Sequence, residues 1–206
     1  MISLFLDTSS KKLTVYLLKD NTILYEKVLE TKNDHATYFV SLIDEALKEN
    51  SMETKDIDKI YVVNGPGSFT GTRIAVTVGK TIAYSNNIGA IPVSSLKQFV
   101  FSYTGYDYYV SVIREKNDRV YYGIYDKDYN NVIDDKYSTL DDLLKEIDKL
   151  DGKVIIISNE EIDNINTNKQ ELDIIRLMDY YKDKEVISHL LKPNYLKKIE
   201  AEEKLW

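Results

Sequence analysis

IYVVNGPGSFTGTRIAVTVGKTIAY, residues 60–84, decides how the rest of the chain is read. Its apolar, β-branched start at 60–63 predicts a strand that stops at Asn64 and Gly65. Gly65, Pro66, Gly67, Ser68 and Phe69 then form a tight loop, and a helix is expected over about 70–86, from Thr70 onward. Gly65, Gly67 and Gly71 can take a positive φ or admit another backbone where a Cβ would clash. Strand, glycine loop and helix in that order aim the first N–H groups of the helix at whatever covers the loop. Such a cover can be a phosphate or tightly packed protein.

Two known phosphate grips fail on spacing. A P-loop requires glycine, four residues and then Gly-Lys-Ser/Thr, but Gly79-Lys80-Thr81 has Ile74 where the first glycine belongs and sits within the expected helix. GPGSFTG has one residue too many for the dinucleotide fingerprint, and it follows the fourth expected strand, not the first. The helix carries a further signal. Gly71, Ala75, Gly79 and Ala83 recur four apart and leave one stripe nearly bare. Glycine inside a helix costs ~1 kcal/mol relative to alanine, so Gly79 implies a close neighbour, either the chain's own sheet or the helix of another chain. Ile74, Val78 and Ile82 form a second stripe that could face the sheet, which would leave the bare one for another partner.

Outward from this stretch, strands are expected at 2–7, 13–18 and 22–29, joined by short polar turns. A helix follows over about 35–49, with Asp34 as its cap and Phe39, Leu42, Ile43, Ala46 and Leu47 as its apolar stripe. After the glycine loop and its helix come a short strand at 90–93 and a helix over 96–103 capped by Ser94. The second half begins again, with strands at 108–114, 119–125 and 131–137, a helix over 140–150 capped by Thr139, and an apolar strand at 153–158. Helices are expected over 169–181 and 184–191. The order β-β-β-α-β-α therefore occurs twice, which predicts an α/β protein of two lobes, 1–104 and 105–206, each on a mixed sheet and the second shortened.

A chain of 206 residues buries roughly 70% of its unfolded surface and needs no disulfide staple. It has no cysteine, which removes thiol chemistry and fits a reducing cytoplasm. The start MISLFLDTSS lacks the basic region of a signal peptide, and no apolar run approaches the ~20 residues of a membrane span. The net charge of −7 argues against strong nucleic-acid binding by this chain alone. Asp7 and Thr8, in the turn after the first strand, can hold a metal or a phosphate-bound water, or simply cap the hairpin. His35 and His189 are the only histidines and do not make an HxxxH or HExxH pair. The acidic pairs at 134–135, 141–142 and 160–161 read as solvated surface. The residues assemble no complete active site, although an enzyme binding ATP between the lobes, with Asp7 near its metal, stays open as an alternative.

Four strings, LFLDTSS at 4–10, HATYFVSLIDEAL at 35–47, NGPGSFTGTRIAV at 64–76 and KPNYLKKIEAE at 192–202, together resemble the TsaB (YeaZ) family. GPGSFTGxRI is a long, specific match that includes Arg73. The resemblance implies the actin-like ATPase (ASKHA, RNase H-like) fold, truncated in its second lobe. It also implies a non-catalytic subunit for making threonylcarbamoyladenosine beside the anticodon of tRNAs that read codons beginning with A. The partners implied are the catalytic subunit TsaD and the ATPase TsaE, with a homodimer when the chain is isolated and tRNA contacted only through the complex. No cofactor is expected. The helices after the meander and after the glycine loop form the subunit contact in the family. Carried over, these are the segments at 35–47 and 70–83, with His35, Phe39, Leu42, Ile43, Ala46, Thr72, Ala75, Val76, Gly79 and Ala83 at the contact. Thr72 departs from the larger apolar residue usual before the arginine. Asp7 and Thr8 would be the remnant of a nucleotide site. Family members have also been labelled glycoproteases, a reading for which the sequence offers neither nucleophile nor metal site.

Overall fold

The computed structural model describes residues 1–30, 35–162 and 165–197, with backbone alone at positions 35 and 36. The cap expected at Asp34, the side chain of His35 and the KIEAE end of the tail motif therefore lie outside the described residues.

Apolar strands β1 (Ile2–Asp7), β2 (Lys12–Lys19) and β3 (Thr22–Glu30) form the expected antiparallel meander, with a bulge at Leu17/Leu18. Helix α1 (His35–Glu49) carries the chain across to β4 (Lys59–Gly65), which pairs parallel to β1. Helix α2 (Phe69–Ser85) leads to β5 (Ile91–Ser94), parallel to β4. The sheet order is β3-β2-β1-β4-β5. One face is covered by α1 and α2, where Phe39, Leu42, Ile43, Ala46 and Leu47 meet Leu4, Leu6, Val15, Ile60 and Val62 in a single core.

The pattern then repeats. Strands β6 (Tyr108–Arg114), β7 (Arg119–Asp126) and β8 (Asn131–Thr139) form a second antiparallel meander. Helix α3 (Leu140–Ile147) starts where the Thr139 hydroxyl accepts from the Asp142 N–H at 3.1 Å. It is followed by β9 (Val154–Ser158), parallel to β6, by the two-residue β10 (Asn168–Lys169), and by α4 (Ile174–Tyr181). The order β8-β7-β6-β9-β10 places third, second, first, fourth and fifth strands as the first sheet does. Val110, Val112, Val120, Tyr122, Ile124 and Leu143 fill this second core. Met1–Ser95 with Met178–Asn194 make one compact unit, and Leu96–Leu177 with the described residues after Asn194 make the other.

Three expected helices come out differently. Residues Lys97–Ser102 form only a 3-10 turn. Phe99, Val100 and Phe101 are poor helix formers in succession, and the tighter turn buries the last two. The helix expected over 169–181 starts at Ile174, because Asn168 and Lys169 are drawn into pairing with Ile157 and Ser158. The one expected over 184–191 shrinks to a 3-10 turn at Ser188–Leu190. Val186 instead exchanges two backbone hydrogen bonds with Ala90, at 2.8 and 2.9 Å, which holds this stretch extended.

Candidate functional site

The glycine loop is built against the turn after β1. Gly65 and Gly67 have φ of +109° and +151°, a region that L side chains rarely adopt, and the Gly65–Pro66 peptide is cis. A Cβ on Gly67 would fall well under 3.0 Å from the Ser9 carbonyl oxygen. That carbonyl accepts the Ser68 N–H at 2.7 Å. Ser68 in turn caps α2: its hydroxyl accepts from the Gly71 N–H at 3.1 Å and its carbonyl from the Thr72 N–H at 2.8 Å. The opposite side of the loop is held by Ser95, whose N–H reaches the Gly65 carbonyl at 3.0 Å and whose hydroxyl donates to the Pro66 carbonyl. Asn194 donates its N–H to the Asn64 carbonyl at 2.6 Å, and the Asn64 amide reaches the Lys192 carbonyl at 3.0 Å. At this helix end the N–H groups of Ser68 and Gly71 are thus bonded to atoms of the chain itself, and that of Thr72 makes the first bond of the helix.

Asp7 and Thr8 also find partners within the chain, Asp7 nearby in sequence and Thr8 on α2. The buried Asp7 carboxylate accepts the Ser9 N–H at 2.7 Å and so shapes the turn. Thr8 is fully buried; its hydroxyl donates to the Gly71 carbonyl at 2.6 Å and accepts from the Ala75 N–H at 3.2 Å. One side chain from the turn after β1 is therefore spliced into the first turns of α2. Sequence reading missed this anchor. The signal it could have used is a small hydroxyl residue at the end of the first strand together with Gly71 opening a helix.

The bare stripe faces inward. A Cβ on Gly71 would fall well under 3.0 Å from the Thr8 carbonyl oxygen, and one on Gly79 also under 3.0 Å from Val62 Cγ2 on β4. Ala75 and Ala83 are fully buried, and Thr72 and Val76 nearly so. Small residues are what let α2 lie this close to β1 and β4, whereas Ile74 and Val78, which could have faced the sheet, stand half-buried at its flank. On α1, Phe39, Leu42, Ile43 and Ala46 are likewise sunk into the core of their own unit. The solvent sides of the two helices carry other residues: Tyr38 and the 57% exposed Val40 on α1, and Thr70, Arg73, Thr77, Thr81 and Tyr84 on α2. Phe69 is also exposed, with the Arg73 guanidinium 3.8 Å above its ring.

Ionisable chemistry is sparse here. Among the described residues no cluster of three or more His, Asp or Glu side chains is placed to hold a metal ion. Tyr61, buried on β4, donates to the Met178 carbonyl at 3.4 Å. Burial, and then the carboxylates of Asp183, Asp179 and Glu185, push its phenol up to about 12. No helix of the described residues is long and apolar enough to cross a membrane.

Two mixed sheets of identical strand order, each a three-strand meander extended by parallel strands and covered by helices, define an actin-like α/β protein. The comparisons narrow that class. Over residues 23–202 the chain matches the family model described as TsaD, tRNA N6-adenosine threonylcarbamoyltransferase. The tRNA threonylcarbamoyladenosine biosynthesis protein TsaB of Bacillus subtilis (strain 168) is 30% identical over 99% of this chain and 97% of its own length. The TsaB of Buchnera aphidicola subsp. Baizongia pistaciae is 37% identical over 40% of this chain and 37% of its own. In three dimensions, YeaZ from Pseudomonas aeruginosa matches with a TM-score of 0.75 at 19% identity, over 95% of this chain and 99% of that one. The chain belongs to the TsaB (YeaZ) family.

Proposed function

We propose that this chain is a non-catalytic subunit in tRNA threonylcarbamoyladenosine biosynthesis, and that it works by binding TsaD. Family membership supports the pathway. The observation that carries the non-catalytic role is the loop itself: the N–H groups of Ser68 and Gly71 are bonded to Ser9 and Ser68. A nucleotide phosphate drawn to either group would have to displace its bond. The contact with TsaD, or with a second copy of this chain when TsaD is lacking, uses the solvent sides of α1 and α2, with Tyr38, Val40, Arg73 and Thr77 in reach of a partner. Apart from His35, the residues named from sequence on the same helices act behind them, as the packing that sets the two helices side by side. TsaE and tRNA join through the assembled complex, in the cytoplasm.

The test is the affinity of TsaD for the full chain, measured by calorimetry. Val40→Glu and Thr77→Glu place a carboxylate on each helix where side chains are already solvated. Each should weaken TsaD binding by about tenfold or more while the thermal midpoint stays within about 1 °C of the parent. Unchanged affinity in both folded variants would sink the helix-face contact. A parallel titration with Mg-ATP should give no binding by the isolated chain, and tight binding with turnover would favour an ATP-using enzyme of the same fold.

A further inference from the structure

Alongside α2, the return segment after α4 leaves an open groove of about 460 Å³. One wall is α2, contributing Arg73, Lys80 and Tyr84; the other is the Ser188–Leu190 turn with Lys192 and Pro193. The Lys80 ammonium donates to the His189 carbonyl at 2.9 Å and ties the walls together. Among the described residues no carboxylate lines this groove. At Tyr84 and Ser188 it runs on into a second hollow whose acid, Glu185, already accepts the Gly89 N–H at 2.8 Å. Two large apolar side chains that line this path stand unusually bare: Tyr84 is 78% exposed and Ile187 62%.

We propose that this groove docks an acidic peptide segment bearing an apolar anchor residue, presented by a partner protein. The charge is complementary: a trough of Arg73, Lys80 and Lys192, with no carboxylate among the described residues that line it, offers a local positive field that an acidic segment meets in a chain of net charge −7. The apolar rim decides between kinds of polyanion. A phosphate backbone leaves Ile187 wet, whereas a peptide with leucine or phenylalanine between its acids covers it as its carboxylates reach the cations. The proposal does not require the partner to be TsaD; Arg73 and Thr77 line the groove as well, but Val40 on α1 does not, so Val40→Glu with TsaD and the groove variants with the peptide can fail separately.

The experiment titrates the full chain into a fluorescein-labelled peptide of repeating Glu-Glu-Leu units and follows anisotropy. Saturable binding that weakens with added salt is expected. Lys192→Glu and Tyr84→Ala, both at exposed positions, should each weaken it by about tenfold or more with the thermal midpoint unchanged. Peptides with serine for leucine, or lysine for glutamate, should bind at least about tenfold more weakly than the parent. The proposal is overturned if the Glu-Glu-Leu peptide does not bind saturably, or if both folded variants bind it as the parent does. It is equally overturned if labelled oligouridylate binds more tightly than the peptide, which would assign the groove to nucleic acid.

Discussion

Gly71→Ala inverts an ordinary rule. Replacing glycine by alanine in a helix normally stabilises it by up to ~1 kcal/mol, because the unfolded chain loses freedom and the helix gains a favoured residue. Here the new methyl would meet the Thr8 carbonyl oxygen, a backbone atom at the end of a central strand that has no rotamer to yield. The helix must withdraw, and the first bonds stretched are the two at Thr8 Oγ1, at 2.6 Å to the Gly71 carbonyl and 3.2 Å to the Ala75 N–H. Losing both in a fully buried place costs on the order of 1–3 kcal/mol, and forcing the packing apart a further ~1–3 kcal/mol. After the propensity gain is subtracted, a loss of about 1–5 kcal/mol is expected. Urea unfolding followed by circular dichroism reads this as a midpoint lowered by about 0.5–2.5 M for a slope near 2 kcal/mol per M. Thr8→Val removes the same hydroxyl without changing the shape, so its cost should overlap, and the double variant should lose clearly less than the sum of the singles. A Gly71→Ala protein as stable as the parent, or costs that add fully, would show that α2 is not held against β1 in this way.

Gly79→Leu tests the inward stripe: the side chain would drive into Val62 on β4, and a loss of about 1–3 kcal/mol in urea unfolding is expected. Unchanged stability with lost partner binding would instead turn the stripe outward. Tyr61 sets an alkaline limit. The folded chain keeps a proton that the unfolded chain releases near 10, so its contribution is complete below pH 10 and falls as pH rises towards about 12. Urea midpoints measured over that window should decline less steeply in Tyr61→Phe, and identical slopes in the two proteins would contradict the assignment.

Much of the fold was legible because strong periodicity and local topology agree. The two meanders, the glycine loop and helices α1 and α2 all follow from patterns that short stretches carry alone. What escaped was set by partners far along the chain. Asn168–Lys169 is polar and reads as loop; it is a strand only because β9 offers it an edge. Val186 sits in a helix-like stretch, yet pairing with Ala90 holds it extended. The direction of the bare stripe was undecidable for the same reason, since glycine and alanine suit a sheet and a foreign helix equally. Thr8, far away in sequence, decides it. The site reading also selected the most apolar positions of α1, which is how a core is recognised; a docking face on these helices consists of their less conspicuous neighbours such as Val40 and Thr77.

The first unit is not continuous in sequence: it is completed by Met178–Asn194, which arrive only after nearly the whole second unit. On the ribosome this sets a delay. Roughly eighty residues separate Ser95 from Met178, so at about 5–20 residues per second the unfinished first unit waits about 4–16 s. During that interval Ala90 lacks its backbone partner at Val186, and the carbonyl of Asn64 lacks Asn194. The newborn chain therefore passes through a stage in which an open sheet edge and an unsealed loop coexist, and its later half serves, among other things, to bring the seal.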